Sequence, residues 1–167
     1  SVVMPVYNGE SFLTEAIDSI LNQSFTDFEF IIVYDESEDY SLKIIEKYQD
    51  LDSRIVLSTG SGRGLVRSLN DGIDLARGEY VARMDADDAS LPDRLKLQYN
   101  FIINHELDIC GGHSILIDDE GRVNGLNVIP TNHEMCTLSL LFTVPFAHPS
   151  VIIRKSFLKN NKLKYGQ

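Results

Sequence analysis

Apolar and polar positions change period several times along the chain, and each change predicts an element. The run SVVMPV at 1–6 reads as a strand, with YNGES as the turn that follows. Over 12–23 the period lengthens: Phe12, Ala16, Ile17, Ile20 and Leu21 fall on one helical face, with Ser11 as the N-cap. FEFIIVY at 28–34 is β-branched and aromatic, the composition of a buried strand. A second helix is predicted over 39–49, a third strand over 54–58 and a third helix over 65–76, closed by Gly78 in the left-handed cap position. Gly72 inside that helix works against it. EYVARM at 79–84 is a fourth strand.

Strands and helices alternating at this spacing imply right-handed βαβ units and a largely parallel sheet. Beyond them, Pro92 suits the first turn of a helix that starts near Ser90 and runs to about His105. The runs at 107–117 and 122–129 flank DDEG and read as a hairpin. A helix over 132–142 is capped by Asn132, and 149–154 is a strand. The predicted class is therefore α/β: a largely parallel central sheet flanked by helices, with a small antiparallel part in the second half. Repeats and linkers are absent, so residues 1–167 read as one domain.

In a parallel sheet, ligands bind beyond the carboxyl ends of the strands. The loops YNGE (7–10), DESED (35–39) and DADD (85–88) all fall there and collect acids at one rim. Asp85, Asp87 and Asp88 crowd into four positions. Residues i and i+2 of an extended segment point the same way, so Asp85 and Asp87 can address one ion together. A hard divalent cation such as Mg²⁺ or Mn²⁺ is commonly shared between one or two carboxylates and substrate phosphates. The competing reading is a solvated loop in which Asp88 or Ser90 only caps the next helix. Asp35 ends a buried strand, where its carboxylate can accept an N–H from a nucleobase; alternatively Asp39 or Ser37 caps the following helix and Asp35 is rim charge. Arg63 and Arg67 flank the start of the third helix, which suits a phosphate, although taken alone the pair reads first as two solvated arginines. SGRG lacks P-loop spacing.

Composition narrows the partner. Apolar residues make up 43% and charged residues 24%, as in a folded globular protein. Fifteen Lys+Arg against 25 Asp+Glu give a net charge of −10, which repels nucleic acid; a phosphate-bearing partner needs a bridging cation. Cys110 and Cys136 read as reduced thiols, and His105, His113, His133 and His148 show no metal-ligand spacing. LSLLFTVPFA (138–147) is too short to span a bilayer, and no signal-peptide pattern is present. Both ends look cut: Ser1 lies inside an apolar run without an initiator Met, and KLKYGQ closes no element.

Taken together, SVVMPVYNGESFLTEAIDSILNQSF, FEFIIVYDESED, GLVRSLNDGIDLARGEYVARMDADD and LPDRLKLQ resemble the family 2 glycosyltransferases, inverting enzymes of the GT-A fold. The resemblance is strong over residues 1–100, which become the nucleotide-sugar donor half. It continues through PFAHPSVIIRKSFL (145–158), similar to the bacterial branch that builds capsule and lipopolysaccharide chains. It implies that Pro5, Val6 and Tyr7 line a nucleoside pocket and that Asp35 binds the uracil of a UDP-sugar. Asp87 would ligate the metal, Mn²⁺ or Mg²⁺, and Asp85 would reach the ribose or a metal-bound water. Asp88 would face the donor sugar or acceptor, and Arg67 would approach the donor. The acceptor would be a glycan or lipid-linked chain at the inner membrane face, met by a cytoplasmic or peripherally associated protein.

Two departures stand out. Where the family carries two acids after its second strand, this chain has Tyr34 and then Asp35. The family's general base, a carboxylate beyond the HPSVIIR strand, is expected past Gln167; Asp118 and Asp119 are poor substitutes, and His148 reads as packing. Two rivals remain. One is a haloacid-dehalogenase-type Mg²⁺ phosphatase with Asp85 as nucleophile and Asp87 as acid/base, although Ala89 stands where that family has Thr or Val. The other is a UDP-sugar-binding fragment without turnover.

Overall fold

The computed structural model describes residues 1–61 and 64–166. Its central sheet has the strand order β3-β2-β1-β4-β8-β5, from β1 (Val2–Val6), β2 (Phe30–Tyr34), β3 (Ile55–Thr59), β4 (Tyr80–Arg83), β5 (Ile109–Cys110) and β8 (Ile152–Arg154). β1 to β4 are parallel; β8 runs antiparallel to both β4 and β5. The helices are α1 (Glu10–Leu21), α2 (Ser41–Leu51), α3 (Leu65–Leu75), α4 (Arg94–Asn104), α5 (His133–Ser139) and α6 (Lys155–Asn160). A separate hairpin pairs β6 (Ser114–Ile117) with β7 (Val123–Asn127). The α/β class and its antiparallel addition agree with the sequence.

The period-2 pattern of β1 sorts the core onto two faces. Val2, Met4 and Val6 pack with Leu13, Ala16, Ile17 and Ile20 of α1, Ile45 of α2 and Leu95 and Ile102 of α4. Val3, with Ile31 and Val33 of β2, faces Leu69 of α3. Gly72 is explained here: a Cβ would lie 2.4 Å from Val3 Cγ1 and 3.2 Å from Val33 Cγ2, so the missing side chain lets α3 close on the sheet.

Several boundaries differ from expectation, each for a local reason. α1 begins at Glu10 after Gly9, and Ser11 makes no cap; Leu13 replaces the exposed Phe12 on the buried face. Gly78 is not left-handed; a Cβ there would come within 2.6 Å of the Ser1 nitrogen, so close approach selects the glycine. α4 starts at Arg94, and neither Pro92 nor Ser90 opens it; the Leu95 N–H is instead taken by Gln23 Oε1 at 3.0 Å. The predicted run 107–117 is divided, because Ile109–Cys110 joins the central sheet while only 114–117 forms the hairpin. Asn132 caps α5 as expected, accepting from Met135 N–H at 2.9 Å, but the helix stops at Ser139. The strand expected from Pro149 starts at Ile152, after a 3-10 turn at His148–Ser150. Cys110 and Cys136 are free thiols, as read. Among the described residues no helix is long and apolar enough to cross a membrane.

Candidate functional site

The strand order reverses direction between β1 and β4, since β2 and β3 build outward on one side and β4 lies on the other. Such a switch point opens a crevice at the carboxyl ends. Pro5 sharpens it. The ladder from β1 to β4 pairs only Val2 with Ala82 and Val3 with Arg83. Val3 O still accepts from Met84 N–H at 3.0 Å, but two residues on, where the next donor on that side would fall, stands a proline. A central-strand proline is tolerated because the neighbouring strand has already ended there.

The resulting cleft holds about 600 Å³. Pro5, Val6, Tyr7, Asp35, Asp85 and Asp87 all line it, together with Gly64 and Ser68 from the start of α3. Six of the residues singled out from sequence therefore meet at one place. Arg67 does not join them: it is exposed on α3 and lies outside the lining. Asp88 is on the rim beside the lining residues. Arg63 lies outside the described residues.

Each wall is built differently. Tyr7 presents its ring to solvent, 63% exposed, a surface on which a flat base can stack. Asp35 is buried, and its carboxylate accepts from the Gly64 N–H at 2.7 Å and the Glu36 N–H at 3.0 Å, which leaves each oxygen a further lone pair. Tyr34, in place of an acid, accepts from Ser37 N–H at 3.0 Å and braces this loop.

The loops after β1 and β2 are fastened to one another, which sequence reading missed. Asn8, at φ 49°, donates its N–H to Ser37 Oγ and accepts from Glu38 N–H, both at 3.0 Å. Gly9 N–H donates to Ser41 Oγ, Glu10 N–H to Asp39 Oδ2, and Tyr40 N–H to Glu10 Oε2. Asp39 also accepts from Ser41 N–H; it stands one residue before Tyr40, which is the N-cap and makes no side-chain cap bond, so Asp39 takes the first N–H of both helices from outside them. Desolvation pushes the Asp39 carboxyl up, but these hydrogen bonds outweigh it and leave it below the usual value.

The acidic wall rests on two arginines. Arg83 Nη2 lies 2.8 Å from Asp85 Oδ1, and Nη1 donates to Asp85 Oδ2 at 3.2 Å, a forked pair. Arg94 donates from Nη2 to the Arg83 carbonyl at 2.7 Å and fixes the end of β4 against α4. Burial lowers the Arg94 pKa to about 10, partly opposed by Asp88, so it stays charged at neutral pH. Burial raises the Asp85 carboxyl; Arg83 opposes this and Asp87 adds to it. The Asp88 carboxyl is also raised, first by desolvation and then by the Asp85 and Asp87 charges, although much of the residue still reaches water. His148 stacks edge-on against Tyr165 with centroids 5.1 Å apart; burial and the Arg83 charge lower its pKa. Contrary to expectation, Asp85 and Asp87 are not paired by strand alternation. β4 ends at Arg83, and Ala86 and Asp87 form a turn in which the Asp88 N–H faces the Asp85 carbonyl at 3.4 Å, so the turn is what brings Asp87 to the cleft.

These residues suit a hard divalent ion. Asp87 is exposed at the cleft, and among the described residues no hydrogen bond or ion pair holds its carboxylate. No group of three or more His, Cys, Asp or Glu gathers among the described residues; Mg²⁺ and Mn²⁺ commonly use one or two carboxylates together with water and substrate phosphate oxygens.

The family described as "Glycosyl transferase family 2" matches residues 1–161. An uncharacterized glycosyltransferase of Haemophilus influenzae is 34% identical over 95% of the chain and 63% of its own length. The O-antigen biosynthesis glycosyltransferase WbnJ of Escherichia coli is 33% identical over 95% of the chain and 62% of its own. Residues 1–349 of S. aureus TarS, solved in complex with UDP, superpose with a TM-score of 0.72 and 29% identity, covering 98% of this chain and 48% of that one. The same TarS region is also solved with UDP-GlcNAc. The fold agrees with the GT-A expectation, and the chain spans about three fifths of the length of these curated relatives.

Proposed function

The chain belongs to glycosyl transferase family 2, and from that premise we propose that it binds a UDP-sugar with a divalent cation and serves an inverting transfer of the sugar to a glycan or lipid-linked acceptor. The observation that carries this reading is the cleft at the switch point, where an exposed aromatic ring, a buried carboxylate and a carboxylate unpaired among the described residues lie together. Uracil stacks on Tyr7 and donates its N–H to Asp35, beside Pro5 and Val6. Asp87 holds the cation, with Asp85 turned to the ribose or to a cation-bound water. When bound, Mn²⁺ or Mg²⁺ stabilises the charge that builds on the leaving UDP. The acceptor hydroxyl attacks the anomeric carbon from the face opposite the diphosphate, which inverts its configuration.

The hydroxyl proton needs a carboxylate base within hydrogen-bond reach. We place that base beyond Gln167, in the additional length of the relatives, with Asp88 as the other candidate. The whole protein works at the cytoplasmic face in cell-surface polysaccharide assembly; the O-antigen biosynthesis named for the E. coli relative supports the polysaccharide part of this reading. A phosphatase using Asp85 as nucleophile is disfavoured, since the Arg83 fork pairs with both of its oxygens and draws off the charge a nucleophile needs.

The test is a panel of UDP- and GDP-sugars with the whole protein and Mn²⁺, reading nucleotide release and the configuration of the product by NMR. UDP-sugar turnover with inversion is expected. Retention of configuration, or equal use of GDP-sugars, contradicts the proposal.

A further inference from the structure

One buried cation lies directly behind the aspartates. Arg83 is the last residue of β4, its side chain is 6% exposed, and its fork gives one contact to each oxygen of Asp85, pairing its charge and fixing its orientation. Its Nε has no hydrogen-bond partner among the described residues. A buried guanidinium with an unmade hydrogen bond is costly, and an apolar residue like Val81, two positions back on the same face, would hold the strand at less expense. Stability therefore does not account for the arginine. Asp87, on the other side of Asp85, has neither a hydrogen bond nor an ion pair among the described residues. An arriving cation meets two different carboxylates, one already neutralised and one not.

Resting on the reading of Asp85 and Asp87 as the cation's carboxylates, we propose that Arg83 is the positioning residue that divides the work between them. By pairing the charge of Asp85 and turning its carboxylate toward itself, it makes Asp85 the poorer ligand and leaves Asp87 as the direct one. With one protein carboxylate to offer, the site holds its cation weakly until a nucleotide diphosphate adds oxygens. Arg83 thereby makes cation and nucleotide binding depend on each other, and by linkage the dependence is reciprocal.

The experiment is a Mn²⁺ titration, followed by electron paramagnetic resonance, with and without UDP, on wild type, Arg83→Gln, Arg83→Lys and Arg83→Gln combined with Asp85→Asn. Thermal melts of each variant report folding. Arg83→Gln is expected to bind Mn²⁺ alone about tenfold more tightly, because a positive neighbour is gone and Asp85 is free. The gain in Mn²⁺ affinity on adding UDP should shrink by a similar factor. Adding Asp85→Asn should abolish the increase, which separates release of Asp85 from a diffuse charge effect. Arg83→Lys, with a point charge in place of a fork, should fall between wild type and Arg83→Gln. A folded Arg83→Gln that binds Mn²⁺ no more tightly than wild type overturns the proposal. If that variant does not fold, an Arg83→Lys protein indistinguishable from wild type does the same. Wild-type Mn²⁺ binding that ignores Asp87→Ala refutes the underlying site as well.

Discussion

β2 and β7 are both five-residue strands, and they handle their side chains in opposite ways. In β2, Phe30, Ile31, Ile32 and Val33 are fully buried between α1 and α2 on one face and α3 on the other. In β7 no residue is buried, and Val123 is 71% exposed. The contrast extends beyond the two strands. α1 buries Leu13, Ala16, Ile17 and Ile20, whereas α5 buries nothing, and Phe142 just after it is 85% exposed. The β1–β4 region thus holds most of the core, completed by Leu95 and Ile102 of α4, Cys110 and Ile152, and carries the cleft on its rim, while residues 114–144 take little from that core. A site whose groups must be held in place is built on the first kind of structure.

The largest expected effect that tests this division is a pair of truncations. Ile31→Ala should cost about 2–5 kcal/mol in urea unfolding, and Val123→Ala less than about 0.5 kcal/mol. Comparable losses at both positions would erase the contrast. A glycine pair sharpens it. Gly72→Ala forces a methyl onto Val3 and should destabilise by about 1–3 kcal/mol despite its better helix propensity. Gly125→Ala meets only the half-exposed Leu116 side chain, 3.2 Å away, and should stay within about 0.5 kcal/mol.

Asp39 tests whether the clasp between the first two loops matters to the cleft. Asp39→Ala removes acceptors for the Glu10 and Ser41 N–H groups and should cost about 1–2 kcal/mol, with weaker UDP binding. Because the folded carboxyl lies below its ordinary value, its contribution is full above the unfolded pKa and is lost as pH falls through the folded one. The stability gap between wild type and Asp39→Ala should therefore close on acidification; a gap that widens contradicts the clasp. Smallest is Tyr34→Phe, which removes the acceptor for Ser37 N–H and should cost about 1 kcal/mol or less by the same unfolding assay.

The same division explains what was legible in the sequence. The elements from β1 to β4 were read almost to their ends, because burial on one or two faces writes its period into the chain. Residues 107–117 divide at Gly111–Gly112, a break visible in the sequence; what no local pattern marks is that Ile109–Cys110 pairs with Ile153 and Ile152, more than 40 residues on. The meeting of Asp35, Asp85 and Asp87 followed from topology, which puts the loops after β2 and β4 at one rim; the i, i+2 argument did not apply, because a turn at Ala86–Asp87 replaces the extended segment it assumed. The fastening of Asn8, Glu10, Ser37, Asp39 and Ser41 did not, since those hydrogen bonds join residues about 30 apart and no local pattern marks them. Ser11 was favoured as a cap for the same reason: the real acceptors come from the next loop.

The most direct test of the central claim, that the switch-point cleft is a cation-dependent UDP site, is calorimetric titration of UDP into wild type and Asp87→Ala, each with and without Mn²⁺. The account predicts Mn²⁺-dependent binding to wild type. In Asp87→Ala that binding should weaken by at least the roughly tenfold that loss of even an outer-shell partner costs a metal site. UDP binding that is absent from the wild type, or that is the same in both proteins and indifferent to Mn²⁺, would contradict it.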